Sequence, residues 1–250
     1  AMGGLLISLW GTSTAFLINA VSYIGLIGVL LWWRPTPRMI DRRAIFPAVG
    51  VGIRFCATSV PLRRILMRGL ALGFSLAGYQ ALLPTIVSDQ LHGDEFQFGL
   101  MLGLFGVGSI ITAPFISAIR RKLGMDGTLV LGSLMFVFVF SLLAEVHVIW
   151  HALPASFVGG MAWVLILTSI NTAVQMRSPD AILGRCLSIY QAVTFGGMAI
   201  GSWAWGAMAD WKGLPYALHA ASVFLVVSFI ILRFAAPLPH PNEGIVKVAP

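Results

Sequence analysis

Seven runs of mostly apolar residues, each close to bilayer length, follow one another at 14–33, 65–87, 98–119, 128–145, 152–175, 186–209 and 216–234. A transmembrane helix needs about 20 such residues. A backbone in hydrocarbon must satisfy its own hydrogen bonds, which makes helix the natural form for each run. Composition agrees. Hydrophobic residues make up 58% of the 250 and charged residues 10%, and the mean hydropathy is +0.90. Soluble domains carry about 25% charged residues, so this chain cannot coat a water-facing surface. The sequence predicts an all-α, polytopic membrane helix bundle. Residues 1–10, AMGGLLISLW, are apolar but too short to span. They read as the outer end of a helix that begins upstream, followed by a turn at 11–13.

The stretch 34–68 carries Arg34, Arg38, Arg42, Arg43, Arg54, Arg63, Arg64 and Arg68 against one acid, Asp41. Basic loops stay on the cytoplasmic face, so this stretch orients every span. Its prolines, Pro35, Pro37, Pro47 and Pro61, suit a hinge or linker between two bundles, or a cytoplasmic loop with a short surface helix. Of the 16 basic residues, all but Lys212 fall on the predicted inner side. Asp89, Asp94, Glu95, Glu145 and Asp210 fall on the outer side. This layout places the C-terminus in the cytoplasm. The net charge of +7 therefore reflects topology, and nucleic acid is not expected as a partner. Cys56 and Cys186 form no CxxC or metal-ligand spacing and read as structural. No basic n-region of a signal peptide precedes the first apolar run.

The spans repeat in character. The runs 65–87 and 152–175 carry uncharged polar groups: Ser75, Tyr79 and Gln80 in one, Thr168, Ser169, Asn171, Thr172 and Gln175 in the other. The runs that follow each, 98–119 and 186–209, are glycine-rich. Gly99 with Gly103, and Gly197 with Gly201, are small-xxx-small pairs that let backbones approach closely. The runs 14–33, 128–145 and 216–234 are apolar nearly all round and suit lipid. Two consecutive three-helix units of opposite direction predict an inverted repeat.

The segments AWVLILTSINTAVQ and SPDAILGRCLSIYQAVTFGGMAIGSWAWGAMAD resemble the last third of major facilitator superfamily transporters, in the branch that includes the enterobactin exporter. AMGG resembles the tail of the Gly-Pro-rich signature that ends helix 5 in antiporters of that superfamily. The resemblance covers essentially the whole chain. It implies the end of helix 5 and helix 6 at 1–33, the central cytoplasmic loop at 34–64, the C-terminal six-helix bundle at 65–236 and a disordered tail at 237–250. The N-terminal bundle would then be the missing partner. One departure stands out. The inner loop SAIRRKLGMDG keeps Arg120, Arg121, Lys122 and Gly124, but lacks the aspartate of the G-x-x-x-D-x-x-G signature. That puts the inner charge latch of this half in doubt. A related pattern, Gly206, Asp210 and Gly213, lies on the outer side.

Polar groups in hydrocarbon are costly unless paired or facing water. The resembled family lines its cavity with helices 7 and 10, which implies a substrate path past Tyr79, Gln80, Trp163, Thr168 and Asn171. Gln191 joins them on helix 11, beside Tyr190 and Phe195. No acid is read in mid-span, so if transport is coupled to the proton, the coupling acid is expected in the other half. Trp150, Trp163, Trp203, Trp205 and Trp211 read first as an aromatic belt, and His219 as a packing residue. His147 and His151, near Glu145, have the spacing of a metal pair in an outer loop. No P-loop is present. The expectation is a transporter without cofactor, and no enzyme. It would be an exporter of small siderophore- or drug-like amphipathic molecules in the bacterial inner membrane. A non-transporting scaffold is the alternative.

Overall fold

The computed structural model describes residues 2–33 and 45–235, and among these it is a helix bundle without strands. The elements are α1 (Met2–Trp32), α2 (Ile45–Thr58), α3 (Val60–Thr85), α4 (Glu95–Thr112), α5 (Ile116–Glu145), α6 (Ile149–Arg177), α7 (Leu183–Lys212) and α8 (Leu214–Ala235). A π turn, Ile86–Gln90, extends α3 beyond Pro84. A 3-10 turn at Ala113–Phe115 joins α4 to α5. The expected residues 237–250 and the first arginines of the basic stretch lie outside the described residues.

Local chemistry sets the helix ends. Asp94 caps α4: its carboxylate accepts the Gln97 N–H at 2.9 Å, and Gln97 Oε1 accepts the Asp94 N–H at 3.2 Å. This reciprocal box satisfies two backbone donors that no earlier turn can reach. Gly124 interrupts α5 with φ 71°, a left-handed conformation that glycine adopts without a Cβ penalty. The run α4–α5 thereby becomes two traverses that turn at the predicted inner loop. Gly213, at φ 92°, makes the turn between α7 and α8.

Four segments among the described residues are long and apolar enough to cross a membrane: Val60–Gln90, Glu95–Glu145, Ile149–Arg177 and Leu214–Ala235. Glu95–Glu145, at 51 residues, contains both traverses around Gly124. In α1 the corresponding apolar segment is the shorter Phe16–Trp32. α7 has 30 residues, ample length at about 1.5 Å per residue, but Gly, Ser and its end charges dilute its hydropathy. The expected turn at 11–13 is absent, because α1 runs unbroken from Met2 to Trp32. A single Gly11 costs a helix about 1 kcal/mol, less than freeing backbone groups in hydrocarbon.

α3 packs along α7, and α4 along α6. Both seams are backbone against backbone. A Cβ at Gly197 would meet the Leu70 carbonyl oxygen at 2.5 Å, and one at Gly73 would collide with the Thr194 carbonyl. On the other seam, a Cβ at Gly108 would collide with the Phe157 carbonyl, and one at Gly160 with the Phe105 carbonyl. These contacts correspond in sequence. One interval separates Leu70 from Phe157 and Gly73 from Gly160. Another separates Gly108 from Gly197 and Phe105 from Thr194. The expected repeat is thus present as matched contacts, with Gly108 as the counterpart of Gly197 where the sequence pattern had pointed to Gly99 and Gly103.

α5 and α8 flank these seams and pack on each other. Each buries one face and exposes another, with Leu134, Phe138, Val227 and Ile231 among the large exposed side chains. The expected all-round exposure therefore holds for one face only of α5 and α8, whereas in α1 every residue from Phe16 to Trp32 is exposed, as expected. Trp205 also departs from expectation. It is 4% exposed, and its Nε1–H donates to the Phe74 carbonyl at 2.8 Å, so it is a core anchor. Trp150, Trp203 and Trp211 are exposed, as belt residues are.

Candidate functional site

The polar residues expected along a substrate path fall into three places. Tyr79 is buried in the interior of the bundle. Its ring stacks on Phe105 at 5.2 Å and meets Phe136 edge-on at 6.3 Å. Its hydroxyl pairs with Ser156 Oγ at 3.1 Å, which satisfies both groups away from water. Trp163 joins the same aromatic chain through Phe105, at 6.1 Å, and remains half-buried. Tyr79, Phe105 and Trp163 thus run from the core outward.

The second place is one stripe of α6. Thr168 Oγ1 donates to the Val164 carbonyl at 2.5 Å, and Thr172 Oγ1 to the Thr168 carbonyl at 2.8 Å. Gln175 Nε2 donates to Asn171 Oδ1 at 2.6 Å. Spacings of three and four residues keep this row on one helix face. The hydroxyls are tied to their own helix, whereas the two amides keep further donor and acceptor capacity. Gln80 on α3 and Gln191 on α7 make up the third set, both exposed. Two grooves, of about 520 and 470 Å³, lie beside α8 and are lined by none of these residues.

A charge pair at the Gly124 end of the bundle was not expected from the sequence. Arg68 is 4% exposed. Its Nη1 donates to Asp126 Oδ1 at 3.0 Å, and its Nη2 to the Leu232 carbonyl at 3.3 Å. The guanidinium thereby ties the start of α3 to the turn after Gly124 and to the end of α8. The signature aspartate is missing from the inner loop, but Asp126 places a carboxylate there by another route. The available signal was Arg68 itself, a cation inside a predicted span that demands a partner.

The opposite end has its own ties. His219 Nε2 lies 2.9 Å from Glu145 Oε1, joining α8 to α5. Gln90 Nε2 donates to the Leu143 and Val146 carbonyls at 2.7 and 2.6 Å. His219 is therefore half of a polar contact. α6 begins at Ile149, so His147 lies outside the helix that carries His151 and the two share no helical face. Among the described residues no group of three His, Cys, Asp or Glu side chains is placed to hold a metal.

The arrangement, then, is a membrane bundle of two matched helix seams with uncharged polar rows on α3, α6 and α7. No curated protein matches the chain. Over residues 1–246 it matches the family model described as transmembrane secretion effector. The chain belongs to that family, a group of major facilitator superfamily transporters, and is a multi-pass membrane protein.

Proposed function

We propose that the chain is the C-terminal half of a secondary active transporter that exports small amphipathic molecules, of the siderophore or drug type, by alternating access. The supporting observation is the pair of matched glycine seams, α3 on α7 and α4 on α6, in a member of a transporter family. Such seams make a rigid bundle that can rock as a body against a partner. Residues 1–33 close the N-terminal bundle, 34–64 form the central cytoplasmic loop, and 65–236 are the C-terminal bundle. Residues 237–250 are a cytoplasmic tail in the bacterial inner membrane protein. Gln80, Trp163, Thr168, Asn171 and Gln191 face the substrate. Tyr79 stands behind them and fixes the wall through Phe105. These groups are uncharged, so they suit a molecule held by apolar contact and a few hydrogen bonds. If the proton is the coupling ion, its relay acid belongs to the N-terminal bundle.

The test uses the full-length protein in cells stripped of their own exporters, loaded with a fluorescent amphipathic dye. Wild type lowers dye accumulation. Asn171→Ala and Gln191→Ala raise it toward the empty-vector level at equal expression. Variants that keep wild-type efflux and substrate range would remove the path assignment. A full-length protein that exports no probe would leave the scaffold reading.

A further inference from the structure

α2 packs on α7 as well as on α3, and α2 and α7 each bring one thiol to their seam. A Cβ at Gly52 would lie 3.0 Å from Arg185 Cβ and 3.2 Å from Ile189 Cδ1, so α2 and α7 approach closely there. One turn further along α2, Cys56 is 3% exposed, and Cys186 on α7 is 0% exposed. Both are free thiols, and they are near enough to act on each other electrostatically. On its other side α2 leaves Val49, Val51 and Ile53 exposed. A disulfide needs Cβ atoms about 4 Å apart; the close approach at Gly52 and Arg185, one turn from Cys56 and one residue from Cys186, sets the two backbones close together beside the thiols.

We propose that Cys56 and Cys186 form a redox-sensitive clamp, in which oxidation to a disulfide locks α2 onto α7 and arrests the transport cycle. The arrest rests on the transporter reading above; the bond itself does not. The position gives the bond leverage. α2 lies in the stretch assigned to link the two bundles, and α7 is half of a glycine seam. Burial, together with the neighbouring Cys186, pushes the Cys56 thiol up to about 12. While the seam is closed the pair therefore stays reduced and unreactive, since the thiolate is the reacting form. Opening of α2 wets the thiols. A peroxide then oxidises one thiol to a sulfenic acid and releases water. On reclosure the second sulfur displaces the hydroxyl, forming the S–S bond and releasing a second water. A dithiol reductant reverses the bond by exchange.

The test treats inner-membrane vesicles carrying the full-length protein with hydrogen peroxide, followed by alkylation, digestion and mass analysis. The expected result is a peptide pair joined through Cys56 and Cys186, with both thiols lost to alkylation. Transport falls by more than half and recovers on dithiothreitol. Cys56→Ala and Cys186→Ala transport normally and ignore peroxide; the serine variants serve as a second pair should alanine disturb folding. Thiols that stay alkylatable after peroxide treatment and unfolding would overturn the clamp. A joined peptide with unchanged transport would overturn its control of the cycle. Reduced protein that moves no probe would remove the transporter reading and the arrest with it, while the joined peptide still decides the bond.

Discussion

Arg68 and Asp126 illustrate what a single side chain demands of its surroundings. The Arg68 side chain is 5% exposed and that of Asp126 46%. Desolvation therefore falls on the guanidinium, and the carboxylate offsets it from a partly wet position. Truncating Asp126 removes a charged partner and leaves the cation buried. Asp126→Ala is expected to destabilise the purified full-length protein by about 2 kcal/mol, under the roughly 3–5 kcal/mol of a fully buried pair. Replacing both partners, as Arg68→Met with Asp126→Ala, should recover most of that loss, because no charge then remains to be solvated. Thermal unfolding in detergent measures both variants, and a double variant as unstable as the single one would contradict this account. The sequence presented Arg68 as one more inner-side cation and left Asp126 unremarked in GMDG. Their meeting depends on how α3 sits beside the Gly124 turn, which no local pattern encodes. Tyr79 was conspicuous for the opposite reason. A phenol in an apolar run requires a partner wherever it points, but that the partner is Ser156, far along the chain, follows only from packing.

Helix pairing rests on glycines that differ sharply in their surroundings, although the sequence presents them alike. Gly73, Gly108, Gly160 and Gly201 each face a carbonyl of the neighbouring helix where a Cβ would collide, whereas Gly196 and Gly206 face open space. Gly160→Ala must push α4 and α6 apart along their seam, an overpacking cost of about 1–3 kcal/mol. Gly206→Ala adds a methyl to open space and gains helix propensity, a stabilisation of up to about 1 kcal/mol. The two variants are expected to shift the unfolding temperature in opposite directions. Equal shifts would mean that the seams are not the contacts that hold the bundle. The polar, glycine-rich and apolar order of the spans was legible, because hydropathy and glycine content are properties of each run alone. Which glycines make the seam was not legible. Gly108 and Gly197 correspond only once each is seen against its carbonyl, Phe157 and Leu70 respectively. The fate of Trp205 was hidden for the same reason: a tryptophan near a helix end suits an aromatic belt until its N–H finds the Phe74 carbonyl.

The two ends of the bundle are distinguished by side-chain ties as well as by charge. One end gathers Arg68 at the start of α3, Asp126 after the Gly124 turn and the Leu232 carbonyl near the end of α8. The other gathers Gln90 beyond α3, Glu145 at the end of α5 and His219 near the start of α8. α3 and α8 therefore run antiparallel, and Gly124 and Gly213 turn the chain at opposite ends. Arg120, Arg121 and Lys122 precede Gly124, so they share the end of Arg68; Lys212 precedes Gly213 and stands at the other, its ammonium 4.5 Å from the Trp211 ring centre. On the charge bias the first end is expected in the cytoplasm, and with that orientation the geometry sets the second end outside. Cysteine introduced at Lys122 should react with a membrane-impermeant maleimide only in inside-out vesicles, and cysteine at Lys212 only in right-side-out ones. Both variants are made in full-length protein lacking its native cysteines, so any label reports the introduced site. Labelling of both from one side would break the antiparallel layout. Labelling of each from the face opposite to its assignment would keep the bundle and invert the protein in its membrane, placing the basic stretch and α2 outside the cell.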